Sequence, residues 1–280
     1  MAATPAIETP GSTLGLLSQP LATHRLQSKV AIITGAGGNI GIETAGRFLR
    51  EGANVVLVDI SPIALDMAVE VLKGALVTGE TASARIYCVV TDAATEDGVK
   101  QYVNSTLRVF HRLDIAFLNA GITQKYTSLT ETTEEAYEEI MRVNFKSAFL
   151  GVKHVANAMR TLGNGGSIIM TSSTAGLRAT PELGLYSASK FALRGLALTA
   201  ASELGPFGIR VNTIHPSDVD TPQLRNTWEQ DKLDELQKKI PLGRFTQVDD
   251  IGSVVAFLAS HDSKFITGSF LKIDGGSVSS

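Results

Sequence analysis

Tyr186 and Lys190 lie four residues apart in a helix-patterned stretch, Tyr186–Leu204, so they share one helix face. A free phenol titrates near ~10, too high for efficient proton transfer at neutral pH. An ammonium beside it favours the phenolate and lowers that value. Such a tyrosine could take a proton from an alcohol or return one to a ketone. Alone, the pair is only a weak surface contact, so the reading depends on what else the chain provides.

The chain also provides a phosphate-type turn. Thr34-Gly35-Ala36-Gly37-Gly38-Asn39-Ile40-Gly41 follows an apolar run and opens a helical pattern. Glycines there let backbone approach a pyrophosphate, and the helix start adds N–H donors and a favourable dipole. A glycine string by itself marks any tight turn; its place in a first strand–helix–strand unit makes it specific. Asp59 ends the next apolar run. Its carboxylate can accept from both hydroxyls of an adenosine ribose and would repel a 2′-phosphate, favouring NAD over NADP. Asp59 could instead cap a helix, but Ser61 followed by Pro62 suits that role better.

Seven short apolar runs must position these residues: Val30–Thr34, Asn54–Asp59, Ala84–Val90, Ile115–Asn119, Ser167–Ser172, Ile209–His215 and Phe270–Asp274. Their near-continuous apolar character predicts strands covered on both faces, hence a parallel sheet. Helical patterns alternate with them: Ile40–Arg50, Ile63–Lys73, Glu96–Phe110, Glu134–Leu162, Tyr186–Leu204 and Val248–Ala259. The expected fold is α/β: a doubly wound, Rossmann-like, seven-stranded parallel sheet with helices on both faces, in one domain over 28–280. Residues 1–27 read as a flexible extension. Residues 215–245 form an insert too long for a plain connection and are expected to meet the substrate.

Composition narrows the partners. The formal net charge of −3 shows no basic excess, so neither nucleic acid nor an anionic membrane is expected. No stretch has the length of a membrane span. One cysteine, Cys88, forbids an intramolecular disulfide, suits a cytoplasmic setting and reads as a small core residue. The five histidines show no metal-ligand spacing, and no metal is expected. Asn144, a poor helix former inside Glu134–Leu162, needs a reason to be there; one is a local backbone bond that bends the helix.

The motifs and their order resemble the short-chain dehydrogenase/reductase family in its compact single-domain branch. They are Gly35…Gly41, Asp92, Asn119-Ala120-Gly121, Asn144, Ser173, Tyr186-Ser187-Ala188-Ser189-Lys190, Pro216…Thr221 and Asp274-Gly275-Gly276, and they span about Leu26 to Gly276. The resemblance implies a catalytic set of Asn144, Ser173, Tyr186 and Lys190. Ser173 is chosen over Ser172 because it lies thirteen residues before Tyr186; its hydroxyl would stabilise charge on the substrate oxygen. Asn144 would hold a water linking Lys190 to solvent.

The implied NAD contacts are Gly35, Asn39, Ile40, Gly41, Asp59, Asp92, Ala93, Asn119, Ala120, Gly121, Tyr186, Lys190, Pro216, Val219 and Thr221. Asp92 would bond adenine through its carboxylate, Ala93 would contribute backbone, and the Thr221 hydroxyl would meet the carboxamide. Asp274-Gly275-Gly276 reads as structural.

Three positions depart from the family pattern. Asn39 replaces a glycine, and the turn is expected to survive because Asn tolerates left-handed backbone. Leu118 replaces an Asn, and Ser217 follows Pro216 where a Gly is usual.

The expected reaction is hydride transfer between NAD(H) and a secondary alcohol/ketone pair, with oxidation favoured. Leu224, Trp228, Leu233, Leu236 and Ile240 of the insert, with Leu177, Leu183 and Leu185, suggest an apolar substrate of medium size. His215 is a further candidate substrate contact. A homo-oligomer, a tetramer, is implied, with small residues such as Ala148, Ala192, Ala197, Ala200 and Ala201 allowing close helix packing. The alternatives are a non-redox enzyme on this fold or a nucleotide-binding protein without turnover.

Overall fold

Val-Ala-Ile-Ile-Thr, the first strand, is buried along its whole length because helices cover both of its faces. Ala31 and Ile33 point into one apolar cluster, and Ile32 points into the other. This is the two-residue alternation of a strand in a sheet covered on both faces. The computed structural model describes residues 24–76, 79 and 81–278. All seven apolar runs are strands: β1 (Val30–Thr34), β2 (Asn54–Asp59), β3 (Ile86–Val90), β4 (Ile115–Leu118), β5 (Gly166–Thr171), β6 (Ile209–Pro216) and β7 (Phe270–Ile273). They pair in parallel in the order β3-β2-β1-β4-β5-β6-β7.

The helices are α1 (Asn39–Arg50), α2 (Pro62–Leu72), the single turn α3 (Ala82–Arg85), α4 (Glu96–Phe110), α5 (Glu134–Met141), α6 (Ser147–Leu162), α7 (Gly184–Leu204), α8 (Pro222–Thr227), α9 (Gln230–Lys238) and α10 (Val248–Ala259). One face of the sheet buries α1, α2 and α10; the other buries α4, α6 and α7. The chain fills one half of the sheet from β1 out to β3, then returns to β4 on the other side of β1. The crevice at the carboxyl ends of β1 and β4 is therefore the switch point, where α/β sheets bind ligands.

Four expectations are corrected. The edge strands are not covered on both faces: Cys88 and Val90 on β3, and Phe270 on β7, are exposed. Cys88 is therefore not a core residue, since an outermost strand lacks the neighbours that bury a central one. The 1–27 extension lies mostly outside the described residues, and its last part belongs to the fold. Leu26 is fully buried and its N–H donates to the Glu51 carbonyl at 3.0 Å; Arg25 forks onto the Glu51 carboxylate at 2.6 and 2.8 Å. The helix expected over Glu134–Leu162 is interrupted by a π-turn at Arg142–Lys146. In the insert, Leu233 and Ile240 form a small core with Phe245, packed by Leu224, Trp228 and Leu236. Leu233 and Ile240 are thus buried inside the insert itself, whereas Leu224, Trp228 and Leu236 are only partly buried against them.

At the opposite end of β4, Asp114 ties the sheet shut. Its carboxylate accepts from Val30 N–H at 3.0 Å, Arg112 at 2.6 and 2.8 Å, Asn164 at 3.1 Å and Lys29 at 3.3 Å. Burial would raise its pKa, but the Arg112 hydrogen bonds, the Val30 N–H and the Lys29 charge outweigh it and hold the group below the usual carboxylate range. A lowered folded-state pKa stabilises the fold above the unfolded value of about 3.9, and that stability is lost as pH falls through the folded value. Asp114→Ala should cost about 3 kcal/mol by denaturant unfolding at pH 7. The cost should shrink as pH falls below ~4; an unfolding curve like that of the native chain would refute it.

Candidate active site

Gly35, directly after β1, sits at φ 64°, and a Cβ there would press on the Ala120 Cα at 3.0 Å. Glycine is required on both counts. Thr34 Oγ1 accepts from the N–H groups of Asn119 (3.0 Å) and Ala120 (3.1 Å), fastening the β1 turn to the end of β4. The α1 start has Gly38 as its N-cap and no side chain capping it, whereas Ser61, Thr95 and Thr133 cap α2, α4 and α5. Its first N–H groups, at Asn39, Ile40 and Gly41, open the helix at the crevice. The turn survives with Asn39, but not through left-handed backbone there: Asn39 is the first helical residue, and Gly35 makes the turn.

Asp59 ends β2 with Oδ2 accepting from Gly37 N–H and Oδ1 from Ser61 N–H, both at 3.0 Å. Ser61 is the helix cap, through its hydroxyl and Ala64 N–H at 3.2 Å. Asp59 is thus fixed at the rim of the turn, and each carboxylate oxygen keeps further acceptor capacity. An uncapped helix start, close glycine backbone and a fixed carboxylate beyond it fit the pyrophosphate and ribose of a dinucleotide. Asp92 is more committed: Oδ1 accepts from Ala94 N–H at 2.8 Å and Oδ2 from Arg142 at 2.7 Å. Ala93 follows it at the same rim.

The four expected catalytic residues converge. Lys190 is buried on α7 beneath Tyr186, its Nζ 5.4 Å from the Tyr186 ring centre, and it donates to the Thr171 carbonyl at 2.9 Å. Burial pulls its pKa down to about 8. Gly121 leaves the space: a Cβ there would lie 3.3 Å from Asn144 Oδ1 and 3.4 Å from Lys190 Nζ. Asn144 sits in the π-turn, a local distortion common at functional sites. Its side chain does not bond its own helix. Oδ1 accepts from Ile122 N–H at 2.8 Å, and Nδ2 donates to the Ile122 carbonyl at 3.0 Å and to Ser189 Oγ at 3.1 Å. Ser189 donates onward to the Tyr186 carbonyl at 2.7 Å.

Ser173 Oγ accepts from Ala175 N–H at 3.1 Å and hydrogen-bonds Tyr186. Ser172 points away, donating to the Lys190 carbonyl at 2.9 Å. The two serine hydroxyls therefore face apart, Ser173 toward Tyr186 and Ser172 toward the Lys190 backbone. The Tyr186 phenol departs from expectation in the protein alone, where its pKa is raised. Burial is the main cause; the Ser173 hydrogen bond opposes it, and the Asp218 charge and Tyr126 add to it.

Pro216 is buried at the end of β6, Val219 bridges to Thr246, and Thr221 caps α8 through its hydroxyl. They form one side of the mouth. Asp274 closes β7 by accepting from Gly276 and Val278 N–H, the structural role anticipated.

Five residues with roles here carried no sequence signal, or only a weak one. Gln124 Oε1 accepts from Tyr186 N–H at 3.0 Å at the start of α7. Asp218 faces Tyr126 and Tyr186, and Tyr126 stacks edge-on against Trp228 with ring centres 5.0 Å apart. His215 is fully buried behind Ser173 and is not a substrate contact. Ser189 lay inside a quoted motif, three residues from Tyr186. The loop residues Gln124 and Asp218 have no periodicity that could reveal them.

A family model described as enoyl-(acyl carrier protein) reductase matches residues 35–278. Levodione reductase of Leifsonia aquatica is 34% identical over 91% of this chain and 96% of its own. A solved levodione reductase superposes with a TM-score of 0.86 at 30% identity, over 91% of this chain and 99% of that one. Cyclohexanol dehydrogenase of an Acinetobacter species is 33% identical over 93% of this chain and 99% of its own. Carveol dehydrogenase of Mycobacterium avium, solved in complex with NAD, gives a TM-score of 0.83 at 30% identity, over 91% and 99% of the two chains. The chain belongs to the short-chain dehydrogenase/reductase family.

Proposed function

We propose that this chain is an NAD-dependent oxidoreductase interconverting a secondary alcohol and its ketone, on a cyclic substrate of medium size. The observation that carries the reading is the convergence of Ser173, Tyr186, Lys190 and Asn144 at the carboxyl edge of a sheet whose switch point carries an uncapped helix start and Asp59. Relatives named for levodione, cyclohexanol and carveol support a ring-bearing substrate.

NAD supplies the hydride acceptor, the nicotinamide C4. Gly35, Asn39, Ile40 and Gly41 hold the pyrophosphate, and Asp59 the adenine-side ribose. Asp92, Ala93, Asn119, Ala120 and Gly121 flank that half; Lys190, Tyr186, Pro216, Val219 and Thr221 flank the other. Lys190 spends one N–H on Thr171 and has two others to offer a ribose hydroxyl. The substrate oxygen lies between Ser173 Oγ and Tyr186 Oη. Ser173 donates to it and stabilises its developing charge, while Tyr186 takes the alcohol proton or returns it to the ketone. Asn144, anchored to Ile122, keeps the Lys190 side of Tyr186 polar.

The active form is a homo-oligomer, with Phe149 on α6 and Phe191 and Leu198 on α7 exposed for a second copy. Ala148, Ala197, Ala200 and Ala201 are buried within the chain itself. No helix among the described residues is long and apolar enough to cross a membrane.

The test is NADH formation on cyclic, terpenoid, steroid and small aliphatic secondary alcohols, with NAD and NADP in parallel. Turnover with NAD on ring alcohols supports the reading. NADH binding without turnover of any alcohol or matching ketone sinks it.

A pH prediction follows from the raised phenol. Alcohol oxidation needs the phenolate and should rise with pH, while ketone reduction needs the phenol and should fall. Asp218→Asn removes a negative charge that disfavours phenolate. Its oxidation profile should therefore move to lower pH. An unmoved or upward-moved profile would show that Asp218 does not act on Tyr186.

A further inference from the structure

β6 is eight residues long and runs past the end of its pairing with β5. The last rung is Ser172 N–H to the Ile214 carbonyl at 2.9 Å. One residue further, Ser173 has left the ladder in extended conformation, φ −163° and ψ 165°, as the cap of the tight turn Thr174–Gly176. Beside it, on β6, stands His215. Its Nδ1 lies 2.8 Å from the Ser173 carbonyl oxygen, and its Nε2 lies 2.9 Å from Thr213 Oγ1. A carbonyl can only accept, so Nδ1 carries the proton and Nε2 accepts from the Thr213 hydroxyl. A side chain thus supplies the donor that the sheet no longer provides.

The imidazole cannot easily turn. It is fully buried, Thr213 (two residues back on the same strand face) fixes its far nitrogen, and Phe270 meets it edge-on with ring centres 6.1 Å apart. Burial first, and then the charges of Arg194 and Lys190, lower its pKa to about 4 against the Ser173 hydrogen bond, so it stays neutral in any ordinary assay. That excludes it as the proton acceptor of the reaction. The Ser173 carbonyl has a second donor, Gly176 N–H at 2.9 Å. The Gly176 carbonyl is in turn held by Arg194 of α7 at 3.2 Å. The serine is therefore clamped from its own turn on one side and from β6 on the other.

Accepting the reading that Ser173 and Tyr186 flank the substrate oxygen, we propose that His215 is a positioning residue for Ser173. Its Nδ1–H, donated to the Ser173 carbonyl, fixes the direction of the serine hydroxyl toward Tyr186 and the substrate. Without that donor the Ser173 peptide can rotate about the single remaining Gly176 bond, and Oγ drifts. Both consequences act at Tyr186. The alcohol is less well oriented, and the phenolate loses the hydrogen bond that favours it. The other groups facing the phenol (Asp218, Tyr126 and the Lys190 ammonium) remain.

The experiment compares His215→Leu, which fills the space without a donor, with His215→Asn, whose amide N–H can occupy the Nδ1 position. Each is made alone and in a Ser173→Ala background, in the full-length protein. His215→Leu should lower kcat for alcohol oxidation roughly 10- to 100-fold, with NADH affinity unchanged by fluorescence titration. The pH at which oxidation reaches half its plateau should move upward. His215→Asn should recover most of the rate and the native pH midpoint. In the Ser173→Ala background, His215→Leu should cause no further loss, because the group it positions is gone.

Additive losses in the double variant, or a rate that falls with an unmoved pH midpoint, would overturn the proposal and leave His215 as packing. Should the Leu variant not fold, His215→Asn and His215→Val decide. Val offers no donor to the carbonyl and should lose the rate that Asn keeps, and equal rates would overturn the proposal. Full activity in Ser173→Ala alone would overturn the reading of the site itself, and the proposal with it.

Discussion

Tyr186→Phe should lower turnover in both directions by about 10³- to 10⁴-fold, with NADH affinity and thermal stability close to native. The substitution keeps the ring, and with it the contact to Lys190 Nζ at 5.4 Å from the ring centre. It removes only the hydroxyl, whose partner Ser173 Oγ keeps its bond from Ala175 N–H at 3.1 Å. Among the described residues, no neighbouring side chain is placed to replace it. Lys190 is a donor already tied to Thr171. His215 is neutral, directs its proton at a carbonyl and stands on the far side of Ser173. Among the described residues, Asp218 is the carboxylate facing the position, and burial has raised its pKa as well, against the Arg178 charge. Steady-state rates with fluorescence-measured NADH affinity check this. A variant retaining more than about a tenth of the native rate would move the base away from Tyr186, with Asp218 first in line.

That the phenol is raised rather than lowered in the protein alone shows where sequence reasoning stops. The i, i+4 spacing correctly put Lys190 on the Tyr186 face, and all seven strands and the Glu96–Phe110 and Val248–Ala259 helices lie where periodicity placed them. Such features are local, because a repeat of two or of 3.6 residues is written directly in the chain. The phenol's environment is not local. It is set by burial and by Asp218 and Tyr126, which come from loops after β6 and β4. Similarly, Asn144 drew notice as a poor helix former, yet no sequence pattern announces a π-turn. Its bonds reach Ile122 and Ser189, 22 and 45 residues away. Cys88 reads as core yet is exposed, because an apolar run on an edge strand looks like one in the middle of a sheet; only the strand order tells them apart. His215 has the same origin, since its value as a donor depends on where the β5 ladder ends.

The second large effect concerns the choice of dinucleotide. The double variant Asp59→Ala, Ile60→Arg should lose roughly 10- to 100-fold in kcat/KM with NAD and gain measurable turnover with NADP. The loss follows from deleting a charge-assisted acceptor, about 1.5–3 kcal/mol for a hydrogen bond to a charged group. Gly37 and Ser61 N–H hold Asp59 in place; with the ribose where we propose it, that fixed charge would meet a 2′-phosphate, and repulsion rather than size would enforce the preference. Removing the carboxylate lifts the repulsion. Ile60, exposed at the adjoining position, offers a site from which a guanidinium can reach a phosphate. The turn should survive, because its shape rests on Gly35 and on the Thr34 bonds to Asn119 and Ala120, which the variant leaves untouched. The single Asp59→Ala change should lose NAD efficiency without gaining much NADP use, separating lifted repulsion from new attraction. Kinetics with both cofactors on one alcohol decide the matter. If Asp59→Ala uses NAD as well as the native chain does, the carboxylate serves only to brace the Gly37 turn, and the preference for NAD must come from elsewhere in the crevice.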